Sequence, residues 1–430
     1  MMHTLAVMLT VYFVFELVVI LSYLPRMRFW RDGLKPQKKL HADRMHRFAV
    51  VLPARDESSA IPPLIRSLGK QTYPKEYFDI LLIVKDPDDP TIGMMKQAFP
   101  DAYVYVVPDQ TRKADAMDVC MKKILAEQAG VYDDFIVVDA DSVLTPGFLA
   151  AMNDATASGA EVIIPRKCIK NRLSADRRNR TLICDCSAMT YVAIDAMGNK
   201  GKCRRGQTLS LCGQGMLIRA SVIEALGGYP FRTLTEDYEI AVACMEHGWK
   251  QYYYEYAVLY SEEPVTMHEY DKRRVRWLRG YLQCGRLYGR KLRRITYGQR
   301  RIATEHFQFL YGIYPICFMF GGDAVMAIVF AVTTCVYRSA QPQAAQAALG
   351  LAFVPLLFAY LKLIFYAAVQ ILSDRDGRMT AAERVRYLFL SPFLTFDWAR
   401  VLVIALFSGH SFSWEPVKRL LFEDVEHEKN

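Results

Sequence analysis

The sequence predicts an α/β domain flanked by transmembrane helices, on three observations. Long apolar runs lie toward the two ends of the chain. Between them, short apolar runs alternate with helix-patterned stretches, and acidic residues collect where the short runs stop. The 430 residues are 52% hydrophobic with a mean hydropathy of +0.05, high for a chain that meets only water.

Residues 1–24 form the first membrane element. Thr4–Leu24 carries a single charge, Glu16, and is long enough to span a bilayer. No basic stretch precedes this run and no small-residue cleavage site follows it, so it reads as an anchor rather than a signal peptide. Residues 25–46 are a basic linker with Arg26, Arg28, Arg31, Lys35, Lys38 and Lys39. Toward the other end, residues 306–409 hold two to three spans. His306–Tyr337 and Ala347–Ser373 qualify by length, whereas Arg386–Gly409 is interrupted by Pro392, Asp397 and Arg400 and either spans or lies in the interface. Residues 410–430 are a tail. Lysine and arginine crowd both flanks of the intervening segment, including Arg290, Lys291, Arg293, Arg294, Arg300 and Arg301. The loop between the second and third runs holds only Arg338. That asymmetry predicts an integral protein of the plasma membrane whose segment from about Pro25 to Glu305 is cytoplasmic.

Two charges fall inside the spans, Asp323 and Lys362. A lone ionised residue at that depth costs about 2.5–3.5 kcal/mol on insertion scales. Either the two pair, an arrangement that Gly321 and Gly322 favour by letting helices approach, or Lys362 snorkels alone and Asp323 carries a proton.

The intervening α/β domain occupies residues 47–264. Its short runs are "RFAVVLPA" (47–54), "DILLIV" (79–84), "AYVYVVP" (102–108) and "DDFIVVDAD" (133–141). Helix-like stretches cover Ser58–Lys70 and "TRKADAMDVCMKKILAEQ". Such alternation predicts a largely parallel sheet, and ligands of such sheets bind outside the carboxyl ends of the strands. Pro53, Ala54, Arg55, Glu57, Asp86, Asp139 and Asp141 all fall at that rim. In "VVDADS" an extended backbone aims both aspartates the same way, and paired hard oxygens there suit Mg²⁺ or Mn²⁺ with substrate phosphates completing the shell. Lys113, near the start of its helix, adds a cation where phosphate is favoured.

In "LTEDYEIAVACMEHGWK" (234–250), Thr235 can cap the helix while Glu236 and Asp237 complement its dipole. Residues 265–305 are read as amphipathic interface helices. On a helical projection of "KRRVRWLRGYLQCGRLYGRK" (272–291), Arg276, Arg279, Arg286 and Arg290 share one side. Trp277, Leu278, Tyr281, Leu282 and Tyr288 take the other, which suits a membrane surface.

Several classes are excluded. No phosphate-binding G-x-x-x-x-G-K-[ST] motif is present, and "GQGMLI" lacks the third glycine of a dinucleotide loop. The net charge of +9 does not indicate nucleic acid, because the basic residues gather at membrane edges, where anionic lipids are the simpler partner. The ten cysteines form no C-x-x-C pair and are expected as free thiols; Cys184 and Cys186 read as structural.

Taken in order, "PARDES", Asp86, "DADS", "LTED" and Arg273-x-x-Arg276-Trp277 resemble the processive branch of glycosyltransferase family 2. That branch includes cellulose, chitin, hyaluronan and poly-N-acetylglucosamine synthases, with a ceramide glucosyltransferase-like relative. The resemblance covers roughly residues 45–300. It implies a GT-A fold, a UDP-sugar donor and a divalent cation, Mg²⁺ or Mn²⁺. It further implies that Pro53, Ala54, Arg55, Glu57 and Asp86 border the uridine and that Lys113 sits near the nucleotide. Asp139 would contact the nucleotide sugar, Asp141 would hold the metal with it, and Asp237 would be the general base. Arg273, Arg276 and Trp277 would border the diphosphate and the acceptor sugar. "SLCGQGMLIR" (210–219), with Gly213 and Gly215, would line the acceptor site, and Glu236 would give local support. Two prolines in "VKDPDDPT" depart from the family's small polar residues, and Arg273 stands for its commoner glutamine.

The expected activity is therefore inverting transfer of a hexose or N-acetylhexosamine from a UDP-sugar to a growing polysaccharide or other carbohydrate or lipid-linked acceptor, with membrane lipids as partners. Single transfer to a glycolipid is the alternative. A transporter or scaffold fits less well with a segment whose acids cluster at strand ends.

Overall fold

The computed structural model describes residues 2–174, 176–298 and 313–407. The expected tail at 410–430, the stretch 299–312 and residues 408–409 lie outside them. The first helix, α1 (Met2–Leu34), runs on through the first part of the expected linker.

Eight strands form one sheet: β1 (Phe48–Pro53), β2 (Phe78–Val84), β3 (Tyr103–Val106), β4 (Asp134–Val137), β5 (Val143–Leu144), β6 (Val162–Ile169), β7 (Met216–Arg219) and β8 (Gln251–Ser261). Their spatial order is β3-β2-β1-β4-β7-β6-β8-β5. The four runs picked out in the sequence are the parallel half, with Phe48 opposite Phe78 on one side and Asp134 on the other. The other half is mixed. Strand β7 is antiparallel to β4 and β6, β8 is parallel to β6, and β5 is antiparallel to β8. The expectation of a largely parallel sheet thus holds for one half only.

Helices α2 (Pro62–Gly69), α3 (Pro90–Ala98), α4 (Lys113–Glu127), α5 (Phe148–Thr156), α6 (Leu182–Val192), α7 (Lys200–Arg204), α8 (Ala220–Leu226) and α9 (Glu236–His247) complete the domain, with a π-helical turn at Ala193–Asn199 after α6. Strand residues alternate between two cores, as a period of two demands. Ala49, Val51, Leu81 and Ile83 pack with α4, α8 and α9; Val50, Leu52, Ile80 and Leu82 pack with α2 and α5. Burial on both faces explains why these strands read as continuous apolar runs.

A long helix, α10 (Met267–Gly298), leads toward α11 (Ile313–Tyr337), α12 (Pro342–Ser373), α13 (Ala381–Phe396) and α14 (Trp398–Phe407). Among the described residues, four stretches are long and apolar enough to cross a membrane: Met2–Ser22, Phe320–Tyr337, Pro342–Ser373 and Ala381–Phe407. The last is the run left undecided from sequence, and the helix breaks at Asp397. The Asp397 carboxylate accepts from Arg274 of α10 and from Arg400, each at 2.6 Å.

Asp323 and Lys362 meet at 2.7 Å, so the lysine does not stand alone. The same ammonium lies 2.8 Å from Glu16, and the Tyr12 hydroxyl donates to Asp323 at 2.6 Å. This cluster joins α1, α11 and α12, with Glu16 and Asp323 only 1% and 2% exposed. Glu16 and Tyr12 had not been foreseen as members.

Candidate active site

The carboxyl ends of β1 and β4, the start of α4, the start of α9 and one face of α10 enclose a cleft of about 1210 Å³. Pro53, Ala54, Arg55, Glu57 and Lys113 are among its lining residues. The chain after β4 does not stay extended. Ser142 N–H donates to the Asp139 carbonyl at 3.0 Å, so Asp139–Ser142 is a turn. Both carboxylates reach the cleft nonetheless, by different routes from the one the alternation implied.

Lys113 is the first residue of α4, whose start is fixed by Asp115 accepting from the Arg112 N–H at 3.0 Å. Its ammonium lies 2.6 Å from Asp139 and 3.2 Å from Glu236, joining the sheet rim to the first turn of α9. Burial disfavours the charge on Lys113, but these two carboxylates outweigh it and hold its pKa above the ordinary value. Burial likewise opposes ionisation of Asp139, and the Lys113 charge overcomes it, holding that carboxyl well below its usual range.

Asp141 is 3% exposed. The Gln214 amide donates to it at 3.4 Å, and its own buried Oε1 has no hydrogen-bond partner among the described residues. Two carboxylates and an unsatisfied amide oxygen are a hard donor set, which fits Mg²⁺ or Mn²⁺. Among the described residues no three His, Cys, Asp or Glu side chains converge as a complete metal site.

Asp237 accepts from the Gly213 N–H at 3.0 Å and from the Tyr238 N–H at 2.9 Å. Burial, then the neighbouring Glu236 charge, pushes its carboxyl up to about 6, against the pull of Lys113. The first turn of α9 is not capped as expected. Thr235 makes no side-chain cap; its hydroxyl faces Gly280 of α10, where a Cβ would collide with it. Glu239, buried within the helix, instead accepts from the Arg232 N–H at 2.8 Å and from the Thr233 N–H, and receives the Tyr288 hydroxyl at 2.5 Å.

On α10 the expected division into a basic and an aromatic side is replaced by another. Lys272, Arg273, Arg276, Trp277 and Tyr281 face the cleft together. Val275 packs on Val401 and Ala405 of α14, as does Leu278, which also lines the cleft. Arg273 pairs with Glu263 at 2.6 Å, its guanidinium 5.2 Å from the Trp277 ring centre. Burial and the adjacent Arg273 push the Arg276 guanidinium below its ordinary range.

Two candidates fall elsewhere. Asp86 is exposed in the turn after β2 and is not part of the cleft wall. Asp89 organises that turn by accepting from the Thr91 N–H at 2.8 Å. Gly215 lies behind the cleft rather than in it. It has φ +70°, and a Cβ there would run into Leu259 and Pro165, so sheet packing alone already demands glycine at this position. Gly213 does line the cleft. The sequence reading missed Lys167, Tyr191, Glu263 and Trp398 as lining residues. The acid pair Glu262–Glu263 between strand and helix was the available signal for one of them.

Comparison with known proteins gives this geometry a class. The model of the family described as "Glycosyltransferase like family 2" matches residues 46–280, more than half of the chain. The probable glycosyltransferase YdaM of Bacillus subtilis (strain 168) is 24% identical over 299 residues, 66% of this chain and 66% of its own length. The UDP-forming cellulose synthase catalytic subunit of Komagataeibacter sucrofermentans is 29% identical over 125 residues, 27% of this chain and 16% of that one. In neither relative does the match span two thirds of the length. The mannosyltransferase PcManGT from Pyrobaculum calidifontis, solved with GDP-Man and Mn²⁺, superposes with a TM-score of 0.52 at 14% identity, covering 81% of this chain and 98% of that one. At that identity the likeness is one of fold. The domain is thus a GT-A glycosyltransferase domain. The chain belongs to Glycosyltransferase like family 2.

Proposed function

We propose that this chain is an inverting, membrane-integrated glycosyltransferase. It transfers a hexose or N-acetylhexosamine from a UDP-sugar to a growing polysaccharide or another membrane-associated acceptor. The observation that carries this reading is the position of Asp237, held by two backbone N–H groups in a cleft shared with Lys113, Asp139, Asp141, Arg276 and Trp277. Inversion needs an acceptor hydroxyl deprotonated opposite the leaving diphosphate, and a buried carboxylate titrating near 6 is suited to take that proton.

Pro53, Ala54, Arg55 and Glu57 would border the nucleotide. Lys113 and Arg276 would offset charge on the departing diphosphate. Arg273 and Trp277 would seat the acceptor sugar. Asp141, with Asp139, would hold Mg²⁺ or Mn²⁺, which when bound would neutralise diphosphate oxygens as a Lewis acid. The UDP-forming cellulose synthase relative supports a uridine donor, and the Mn²⁺ bound by PcManGT supports a divalent ion. Residues 47–264 would be the catalytic domain, on the cytoplasmic side of the plasma membrane, with α1 and α11–α14 in the bilayer.

Single transfer to a glycolipid is the second reading, favoured by Trp398 at the start of α14, which brings a membrane helix into the cleft wall. Product size after incubation with labelled donor separates the two. The main reading is tested by Asp237→Asn. Turnover should fall by about 10²-fold or more while UDP binding survives, and the wild-type product should have inverted anomeric configuration by NMR. Near-normal turnover in the variant, or a retained configuration, would dismiss Asp237 as the base.

A further inference from the structure

We infer that Lys113 is a resident cation that keeps a divalent metal off Asp139 until a nucleoside diphosphate draws the ammonium away, with Glu236 as the residue that holds it in waiting. The inference rests on the donor and metal reading above. Lys113 sits 2.6 Å from one oxygen of Asp139 and 3.2 Å from Glu236. Its side chain is 22% exposed, and those of its partners 30% and 15%, so water screens these contacts poorly. One of the two carboxylates after β4 is therefore already neutralised. A dication at Asp139 and an ammonium in contact with the same group would repel each other strongly in such a site.

The remaining ligands do not compensate. Asp141 and Gln214 alone make a poor shell for a cation that takes about six oxygens, and the described residues contain no third carboxylate or imidazole placed to complete it. A diphosphate changes both terms at once. It offers oxygens to the metal, and it offers Lys113 a new partner at the start of α4, where the fifteen-residue helix already favours anions. Metal and nucleotide then bind as one event.

The test is Mn²⁺ binding to the purified full chain, read from the free-ion paramagnetic resonance signal, with Mn²⁺ alone and with Mn²⁺ plus UDP. The wild type should bind Mn²⁺ alone about tenfold or more weaker than with UDP. Lys113→Gln should bind Mn²⁺ alone about tenfold better than wild type and lose most of the UDP effect. Lys113→Met should match it, and Lys113→Arg, which keeps the charge, should retain the wild-type exclusion. Lys167→Gln removes a different cation of the same cleft, one paired with Glu263 at 3.3 Å, and should not produce the gain. If UDP promotes Mn²⁺ binding in the wild type but Lys113→Gln and Lys113→Met bind Mn²⁺ alone no better, the inference fails and the metal reading stands. An equal gain in Lys167→Gln reduces the effect to general charge and also overturns the inference. Absence of Mn²⁺ binding to the wild type even with UDP overturns the metal reading and the inference together.

Discussion

Replacing Lys362 by methionine removes the one cation of the cluster that joins α1, α11 and α12. The ammonium lies 2.7 Å from Asp323 and 2.8 Å from Glu16, and both carboxylates are almost wholly buried. Methionine fills much of the same volume, so packing is roughly conserved and the loss is electrostatic. Removing one partner of a buried ion pair costs about 3–5 kcal/mol, because the charge left behind has neither water nor counter-ion. Here two carboxylates are left, which puts Lys362→Met at the upper end of that range. At about 1.4 kcal/mol per decade, the folded-to-unfolded ratio should drop by about two to more than three orders of magnitude. The assay is the share of monodisperse protein surviving a heating series in detergent, followed by size exclusion. Glu16→Gln and Asp323→Asn, added to Lys362→Met, should restore much of the loss, since a neutral cluster is often no worse than a buried pair. A charge swap, Asp323→Lys with Lys362→Asp, should recover only part of it, because Glu16 then faces a carboxylate where it had an ammonium. A Lys362→Met protein as heat-resistant as wild type, or a triple variant no better than the single, would refute the reasoning.

Three other perturbations have defined outcomes. If Asp237 is the base it must be ionised, so kcat/KM should fall as pH drops through about 6; a flat profile between about pH 5 and about pH 8 counts against it. Chelation should abolish turnover and Mn²⁺ or Mg²⁺ should restore it, whereas an Asp141→Asn enzyme fully active in EDTA would remove the metal from the scheme. Gly215→Ala should destabilise the domain by about 2–4 kcal/mol, from left-handed backbone strain and overpacking against Leu259 and Pro165. Its UDP affinity should be unchanged in the protein that does fold, and a selective loss of acceptor use would return Gly215 to the cleft.

The parallel half of the sheet was legible because strands buried on both faces are continuous apolar runs. The mixed half was not. Strand β6 carries Pro165 where its register with β8 shifts, and Lys167 turns from it into the cleft, so neither apolar continuity nor alternation survives. Strand β7 is only four residues long and hides behind a glycine pair. Among site residues, those fixed by the ends of β1 and β4 or by the starts of α4 and α9 landed in the cleft, because such positions follow directly from the element boundaries. Asp86 did not, because local turn chemistry at Asp89 and Thr91 set the direction of the chain. The faces of α10 were misread for a related reason. A helical projection separates charge from apolarity, but it does not know that a guanidinium can be buried against carboxylates from another element.

That helix also explains why the domain and the apolar helices belong to one device. On one side Arg274, fully buried, donates to Asp397 at the break between α13 and α14, and Val275 and Leu278 pack on Val401 and Ala405. On another side Gly280 receives Thr235, Gln283 accepts from the Leu234 N–H at 3.0 Å, and Tyr288 reaches Glu239 at 2.5 Å. The third side presents Arg276 and Trp277 to the cleft. The loop that aims Asp237 is thus held by the same helix that is pinned to the break before α14. A carboxylate proposed to take a proton must be fixed to within a fraction of an ångström. In this chain its fixing runs through α10 to the apolar helices, so an isolated domain cut before residue 267 would lose the support of its own base.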